Sequence, residues 1–434
     1  MSFLYIILFK GKEAGELPAA HHSFIKREVS VISDNIYDYC IIGAGASGLS
    51  CAVAAASQGK KTVVLEKNRK AGRKLYATGN GRCNLTNRYA DTACYRSKAG
   101  GYMELLFNLC HGVDISEQVC DFMEALGVMT SETDGYVYPA SMQASSVVWA
   151  MLDEIKRLGA EIKCGCEVTG IKQYGDIYTV QSTEGEYRAE NVVLAAGSCA
   201  YPSLGGSMSG YSLAEGLGLN VINPEPVLTA LKIKKPEHYE LLKGVRARGR
   251  VDACDKNGKL KASEYGEVQF TEDTLSGIVC FNMASLKPEM IRICFFDKVP
   301  DREAFIRHAD RTLTGVLNGF VNDKLAEYMV LSFGLHRNTC CSDISIKEID
   351  AFVGHISELF FTVTGTEGFE KAQAATGGIC LDQIDAASFA VKGRKGLYAC
   401  GELLDIDGKC GGYNLTFAIL SGLKAGGGYH ASNK

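Results

Sequence analysis

The chain has 434 residues, enough for two or three domains of ordinary size or for one large domain with an insertion. Hydrophobic residues make up 46% and charged residues 22%, a balance that excludes disorder along the whole chain. The net charge of −4 argues against a nucleic acid as the main partner, and no apolar run is long enough to predict a membrane-spanning helix.

Residues 1–36 precede the first recognisable element, and we expect them to be a leader outside the core fold. The apolar run at 2–9 is short and lacks both a basic start and a small-residue cleavage site, so it does not predict a signal peptide. The chain has 17 cysteines with no C-x-x-C pair, and many of them lie in apolar runs. This usage is typical of reduced, packed thiols and predicts a cytoplasmic protein.

The first informative segment is a glycine-rich turn between two apolar stretches. Residues 39–42 predict a buried strand, which leads into a G-x-G-x-x-G sequence at 43–48. Apolar residues with helical spacing follow, and 62–65 predict a second buried strand that ends at Glu66. A glycine motif alone is weak evidence, but strand, glycine turn, helix, strand and terminal acid together predict a dinucleotide-binding unit.

Each part of this unit has a physical reason. Gly43 permits the tight turn, Gly45 lets the backbone approach a pyrophosphate, and Gly48 permits close packing of helix and strand. The free N–H groups and the positive dipole end of the helix favour a bound phosphate. Glu66 is placed to accept hydrogen bonds from ribose hydroxyls. The motif does not by itself choose between NAD and FAD.

Further along, helices are predicted at 117–126 and 145–158, each followed by glycine. Residues 160–197 alternate short strands with turns, which predicts an antiparallel meander that leads back to the parallel sheet. The stretch 192–197 (V-V-L-A-A-G) is a predicted strand that runs into glycine, and 397–402 (L-Y-A-C-G-E) is another. We therefore expect one nucleotide to be held by a chain that returns to its first sheet.

The middle of the chain differs in character. Residues 224–297 contain alternating segments, two of them separated by Asn257-Gly258, a strong hairpin signal. Residues 301–359 are more polar and helix-like. The predicted fold class is α/β: a Rossmann-like domain with a parallel sheet and a β-meander (37–222 and 360–434). It is interrupted by a barrel-like β insertion (223–300) with a helical part (301–359).

At this point the sequence resembles the two-dinucleotide-binding-domain flavoproteins, and more narrowly the BaiN/YhiN-like bacterial FAD-binding family. The resemblance covers about 37–430. It is carried by G-A-G-A-S-G at 43–48, T-G-N-G-R-C-N-L-T-N at 78–87, Y-P-A-S at 138–141, A-T-G-G-I at 375–379, G-L-Y-A-C-G-E-L-L-D-I-D-G at 396–408 and G-G-Y-N-L at 411–415. Tyr136 stands where an Arg is common in the family, and Cys410 where a small or polar residue is usual.

The resemblance implies an extended FAD. It places the pyrophosphate on the first glycine turn, the adenosine ribose at Glu66, the adenine at the backbone of Val168, and the isoalloxazine against the start of the last helix. The implied cofactor-binding residues are Gly43, Ala44, Gly45, Ala46, Ser47, Gly48, Glu66, Lys67, Arg73, Lys74, Asn80, Gly81, Arg82, Cys83, Asn84, Val168, Ala196, Gly197, Gly401, Glu402, Asp407, Gly412, Tyr413 and Asn414.

The sequence does not identify a catalytic acid or base. Cys83 lies in a basic, glycine-rich loop where Arg82 would lower its pKa, but a buried thiol packed in the pocket is the favoured interpretation. Tyr201 and Tyr413 are candidates for a proton donor, or for aromatic walls. No spacing of histidine or cysteine predicts a metal site, and a second dinucleotide-binding motif is absent.

The leading hypothesis is a FAD-dependent oxidoreductase that passes hydride from a reductant such as NAD(P)H to a small organic acceptor. The family resemblance implies a conjugated enone as the acceptor, such as a bile-acid or steroid-like compound. An oxygen-using amine oxidase and a flavin-bearing tRNA-associated protein are the alternatives. The net charge counts against the last, so no nucleic-acid partner and no membrane partner are expected. The sequence does not indicate the oligomeric state.

Overall fold

The computed structural model describes residues 36–110 and 114–429. The predicted leader therefore lies outside the described residues, apart from Ile36, which begins the first strand. In these ranges the strands are β1 Ile36–Ile42, β2 Thr62–Glu66, β3 Thr86–Asn87, β4 Tyr95–Arg96, β5 Thr130–Thr133, β6 Tyr136–Pro139, β7 Glu161–Cys164, β8 Val168–Tyr174, β9 Ile177–Ser182, β10 Gly185–Leu194, β11 Val221–Val227, β12 Leu231–Ile233, β13 Arg246–Cys254, β14 Leu260–Phe270, β15 Thr274–Ser276, β16 Met290–Cys294, β17 Leu359–Thr366, β18 Ala374–Ile379, β19 Leu397–Ala399 and β20 Asp407–Gly408.

The α-helices of the same ranges are α1 Ala46–Ser57, α2 Tyr102–Cys110, α3 Ile115–Ala125, α4 Ala144–Arg157, α5 Ser209–Gly216, α6 Ile278–Ala284, α7 Arg302–Ile306, α8 Leu313–Leu317, α9 Asp323–Ser332, α10 Ile346–Ser357 and α11 Tyr413–Ala425. The helices predicted at 117–126 and 145–158 are present, shifted by one or two residues. Of these helices, none is both long enough and apolar enough to cross a membrane.

The main sheet has the order β7-β2-β1-β10-β9-β8, and β19 also pairs with β10. The strands β7, β2, β1, β10 and β19 run parallel, whereas β8, β9 and β10 form the antiparallel meander. The long strand β10 serves both parts, because its first half pairs with β9 and its last three residues with β19. The predicted return of the chain to its first sheet is therefore confirmed.

Helix α1 packs between this sheet and helix α11. Its sequence, A-S-G-L-S-C-A-V-A-A-A-S, is rich in small residues, and it is buried on all sides over ten of its twelve positions. Gly422 of α11 and Gly426, its C-cap, allow the contact: a β-carbon at Gly422 would lie 2.2 Å from the Ser47 carbonyl oxygen, and one at Gly426 would lie 2.5 Å from that of Cys51. The last helix is thereby fixed against the start of the first one.

The middle of the chain forms a closed barrel of β12-β15-β14-β13-β16-β17, confirming the predicted barrel-like insertion. The Asn257-Gly258 hairpin joins β13 to β14. Helices α7 to α10 pack with the barrel in one hydrophobic cluster, which contains Phe270, Phe305, Phe352 and Phe361. Strand β17 begins at Leu359, near the predicted return to the first domain, but it pairs with β12 and β16 of the barrel.

Strands β11 and β18 pair with each other and lie, in the chain, just before and just after the barrel. They form the two-stranded connection between the sheet domain and the insertion. The division of the chain at 222, 300 and 360 stays a prediction, and we propose that β11 and β18 mark the two crossing points.

Candidate functional site

The first glycine turn is built so that two of its glycines are required by the protein's own packing. Gly43 has φ +105°, and a β-carbon there would lie 2.5 Å from the Ala195 carbonyl oxygen at the end of β10. A β-carbon on Gly48 would lie 1.9 Å from the Gly43 carbonyl oxygen. These two positions therefore exclude any side chain.

Gly45 differs, because a β-carbon there would meet no protein atom within 4 Å. It is the N-cap residue of α1, and its backbone is extended, with φ −82°. The space that a side chain would fill lies at the helix N-terminus, where the first-turn N–H groups of Ala46, Ser47 and Gly48 have no partner within the helix. A pyrophosphate fits this combination of open space and positive dipole end.

Glu66 lies at the end of β2 and is 7% exposed. Its carboxylate accepts hydrogen bonds from the Ala44 N–H at 2.8 Å, the Asn68 N–H at 2.8 Å and the Asn68 amide nitrogen at 2.6 Å. The Glu66 carbonyl accepts from the Cys166 N–H, two residues before Val168. The acid is thus held next to the glycine turn, and sequence reasoning missed Asn68, which orients it.

The basic residues Lys67, Arg73 and Lys74, which follow β2, each contact a different partner. The Lys67 ammonium donates to the Ser207 hydroxyl, and Arg73 is exposed, 3.4 Å from the Asn68 side-chain oxygen. Lys74 forms an ion pair of 2.7 Å with Glu402 in the turn after β19. That pair brings together two predicted residues that are far apart in sequence.

The carboxyl ends of β10 and β19 both lie beside the first glycine turn, at residues 43–48. Ala196 and Gly197 directly follow β10, and Gly197 has φ +72° with no atom within 4 Å of a β-carbon. Gly401 has φ +70°, and a β-carbon there would lie 2.4 Å from the Ser47 hydroxyl. Its N–H donates to the Ser421 hydroxyl at 3.0 Å, which ties the turn to α11.

Four residues of the loop at 79–84 have a left-handed backbone: Gly79, Asn80, Gly81 and Cys83. Glycine adopts this conformation freely, so the backbone strain lies at Asn80 and Cys83. The Arg82 guanidinium stacks on the Tyr138 ring at 5.4 Å. Burial raises the pKa of the Cys83 thiol to about 12. The thiol is therefore protonated at neutral pH, which supports its interpretation as a packed side chain and speaks against a reactive thiolate. Asn84 is also buried.

Asp407, on β20, is 1% exposed and pairs with Arg96 of β4, whose Nε lies 2.6 Å from the carboxylate. Burial raises the pKa of Asp407, although the Arg96 guanidinium opposes the rise. Arg96 also donates to the hydroxyl of Ser285, which follows α6. Asp407 Oδ1 and Arg96 Nη2 are both buried without a further partner in the described residues, so the pair forms through one contact only.

Helix α11 begins where the family resemblance places the isoalloxazine ring of FAD. Gly412, its N-cap, has φ +100°, and a β-carbon there would lie 2.7 Å from the Thr86 backbone. Tyr413 packs edge-on against Tyr95 at 6.2 Å, and its carbonyl accepts the Tyr95 hydroxyl proton. The Asn414 side chain is hydrogen-bonded to the backbone of the preceding loop.

Two polar side chains that the sequence did not indicate, Asn282 and Glu264, lie where this loop meets the barrel. The Asn282 side-chain oxygen, on α6, accepts the Cys410 N–H at 2.8 Å, and its amide donates to Glu264 of β14 at 2.9 Å. The Tyr136 and Tyr413 rings flank Gly411: a β-carbon there would lie 2.9 and 3.3 Å from them. Their positions far apart in sequence gave no local signal. The described ranges contain no cluster of three or more metal-ligating side chains.

We compared the chain with protein-family models and with known proteins. The model of the HI0933-like protein Rossmann domain matches residues 37–428. A 3-dehydro-bile acid Δ4,6-reductase of Clostridium scindens is 33% identical over 403 residues, 89% of this chain and 97% of the relative. A ribosomal RNA dihydrouridine synthase of Escherichia coli is 26% identical over 89% of this chain and 96% of the relative.

Solved structures also align with the chain. A flavocytochrome c3 fumarate reductase in an open conformation aligns over 91% of this chain and 78% of that chain, with 16% identity and a TM-score of 0.48. A 3-ketosteroid Δ4-(5α)-dehydrogenase of Rhodococcus jostii aligns over 91% and 97%, with 14% identity and a TM-score of 0.49. The family match over almost the whole described chain, together with the sheet and glycine turn, identifies the chain as a member of the HI0933-like, BaiN/YhiN-like family of FAD-dependent oxidoreductases.

Proposed function

We propose that this enzyme reduces carbon–carbon double bonds conjugated to a carbonyl group, and that its acceptor is a bile-acid or steroid-like enone. The observation that carries the proposal is the relative at 33% identity, which spans nearly the full length of both chains and is named as a bile-acid Δ4,6-reductase. FAD supplies the hydride chemistry when it is bound.

The chain's own residues would bind and orient that cofactor. In this proposal the pyrophosphate lies at the open N-terminus of α1 beside Gly45, and Glu66 accepts hydrogen bonds from the adenosine ribose. A carboxylate offers more acceptor sites than the three donors that Glu66 now receives, so it keeps capacity for a hydroxyl. Val168 would meet the adenine.

At the other end, the start of α11 would lie against the isoalloxazine. Its first-turn N–H groups and positive dipole end favour negative charge on a bound group. Asn414 would act by holding the loop in shape, because its amide is bonded to the backbone of Gly408. The Lys74–Glu402 pair and Asp407 would line the stretch between the two ends.

We further propose NAD(P)H as a transient reductant and the cytoplasm as the location. The absence of a second G-x-G-x-x-G motif favours brief docking of the nicotinamide over a dedicated domain. The cysteines described in the structure are unpaired thiols, in keeping with a reducing compartment.

A second candidate function is supported by two relatives, of Escherichia coli and Haemophilus influenzae, both named ribosomal RNA dihydrouridine synthase. Hydrogenation of uridine also reduces a double bond conjugated to a carbonyl, so one chemistry serves both candidates. The higher identity of the bile-acid reductase favours the small molecule, and the net charge of −4 is unfavourable for an RNA surface. The expectation that no nucleic acid is a partner therefore stays open.

The test is anaerobic turnover of NADH and NADPH by the purified holoprotein with three acceptors in parallel: a 3-oxo-4,6-diene bile acid, aminoacetone with oxygen readmitted, and a ribosomal RNA transcript. Reduction of the diene supports the proposal. Dihydrouridine in the transcript with an untouched diene would transfer the function to RNA, and oxidation of the amine alone would make the protein an oxidase.

A further inference from the structure

Tyr136 lies where the loop before α11 meets the barrel, and its hydroxyl forms no hydrogen bond within the described residues. Tyr136 begins β6, is partly buried, and its ring lies against Gly411, one residue before the N-cap of α11. Its hydroxyl has no hydrogen-bond partner among the described residues. The ring is fixed on one side while the hydroxyl is free, which is the arrangement expected of a group that meets a ligand.

The neighbouring polar groups are already engaged. Glu264 accepts a hydrogen bond from Asn282 and lies 3.9 Å from the Lys409 ammonium. The Tyr413 hydroxyl lies beside the Cys94 thiol, and both groups belong to the sheet domain. Burial raises the pKa of the Cys410 thiol to about 11, so this thiol is neutral. Tyr136 is therefore the side chain of this group with an uncommitted O–H.

We propose that the Tyr136 hydroxyl donates the proton that completes reduction of the conjugated double bond. The inference rests on the proposed function and names the residue that protonates the α-carbon after hydride transfer. Bound FAD would supply a hydride to the β-carbon of the acceptor, and the electron pair of the double bond would then lie on the α-carbon and the carbonyl as an enolate. The tyrosine O–H bond breaks, a C–H bond forms at the α-carbon, and the phenolate then takes a proton from water.

The surroundings of Tyr136 suit a donor. Burial raises its pKa, and the nearby Glu264 carboxylate raises it further, so the hydroxyl stays protonated at neutral pH. Since the side chain is only partly buried, solvent has access to restore the proton. The same step serves an enone and a uracil ring, because both have a carbonyl next to the α-carbon.

The test uses the holoprotein with Tyr136→Phe, which keeps the ring and removes the proton. After anaerobic reduction by dithionite, reoxidation of the flavin by a 3-oxo-4-ene steroid should slow about 100-fold or more, as for loss of a general acid. FAD content and the rate of reduction should stay within about twofold. Tyr89→Phe, at a 70% exposed position on the neighbouring loop, is the matched control and should leave reoxidation unchanged.

A second readout does not involve turnover. The oxidised wild type in D2O should exchange the α-hydrogens of a saturated 3-oxo steroid, followed by NMR, and Tyr136→Phe should lose this exchange while binding the ketone with similar affinity. Undiminished exchange and reoxidation in Tyr136→Phe would overturn the inference, as would their loss in Tyr413→Phe alone. A wild type that reduces no unsaturated carbonyl would fail the proposed function first, and the inference with it.

Discussion

The Asn414 side chain holds Gly408 by both of its backbone groups: Asn414 Oδ1 accepts the Gly408 N–H at 2.9 Å, and Asn414 Nδ2 donates to the Gly408 carbonyl at 2.9 Å. This pair closes the loop that leads into α11. A hydrocarbon side chain at 414 would leave both backbone groups without a partner.

Asn414→Leu should therefore destabilise the protein by about 1–3 kcal/mol, measured by thermal and urea unfolding, and lower FAD retention through the displaced loop. Asn318→Leu, at an exposed position that follows α8, should change stability by less than about 0.5 kcal/mol. If Asn414→Leu shifted the flavin potential with no loss of stability, Asn414 would act directly on the flavin.

Arg96→Met should destabilise the protein in a pH-dependent way. It leaves the buried Asp407 without its cation, and because Arg96 is partly exposed we expect a loss of about 2 kcal/mol at pH 7. Burial already raises the folded-state pKa of Asp407, and the substitution raises it further. The two proteins share one unfolded state, so the loss grows as pH rises through the raised folded-state pKa of Asp407 in the wild type, and it is smaller at lower pH, where the carboxyl is protonated in both folded proteins.

The check is urea unfolding between pH 4 and 8, with Arg96→Met/Asp407→Asn expected to recover most of the loss. Arg302→Met breaks an exposed ion pair with Asp350 and should cost less than about 1 kcal/mol. A loss for Arg96→Met that is constant across the pH range would show that packing, and not the carboxylate charge, is responsible.

Gly422→Ala and Gly354→Ala should have opposite effects. A β-carbon at Gly422 would lie 2.2 Å from the Ser47 carbonyl oxygen, so α11 would have to move away from α1, at a cost of about 2 kcal/mol or more. A β-carbon at Gly354, within α10, would meet nothing within 4 Å, and alanine should stabilise by about 1 kcal/mol. Equal unfolding midpoints for the two variants would contradict this close contact of α1 and α11.

Gly45→Val should abolish FAD retention without unfolding the apoprotein. The valine side chain would enter the open space at the N-terminus of α1, where no protein atom lies within 4 Å of a β-carbon. Gly48→Ala is the contrast, because its β-carbon would lie 1.9 Å from the Gly43 carbonyl oxygen and should impair folding itself. Absorption spectra and circular dichroism of both variants decide; full FAD occupancy in Gly45→Val would refute the phosphate site.

Sequence patterns over a few residues predicted the turns and strands whose conformation depends on those residues alone. The turn at Gly43–Gly48, the acid at the end of β2 and the Asn257-Gly258 hairpin each follow from backbone conformation or periodicity over a few residues. The return of the chain to the first sheet followed from two predicted strands that run into glycine, at 192–197 and 397–402.

Contacts between distant segments could not be predicted in this way. Asn68 gave no sign that it orients Glu66, and nothing near Tyr136 indicated that its ring meets Gly411. Strand β17 has the periodicity of any half-buried strand, and only its partners β12 and β16 place it in the barrel. Such pairings depend on how whole elements pack, which a short window does not contain.

The measurement that tests the central claim most directly is product analysis after a single anaerobic turnover. Reduced holoprotein is mixed with an equimolar 3-oxo-4,6-diene bile acid, and the flavin spectrum and the product mass are followed together. We predict reoxidation of the flavin with a matching yield of product that has gained two hydrogens at a carbon–carbon double bond. Flavin that stays reduced with the diene and is reoxidised only by oxygen would contradict the account.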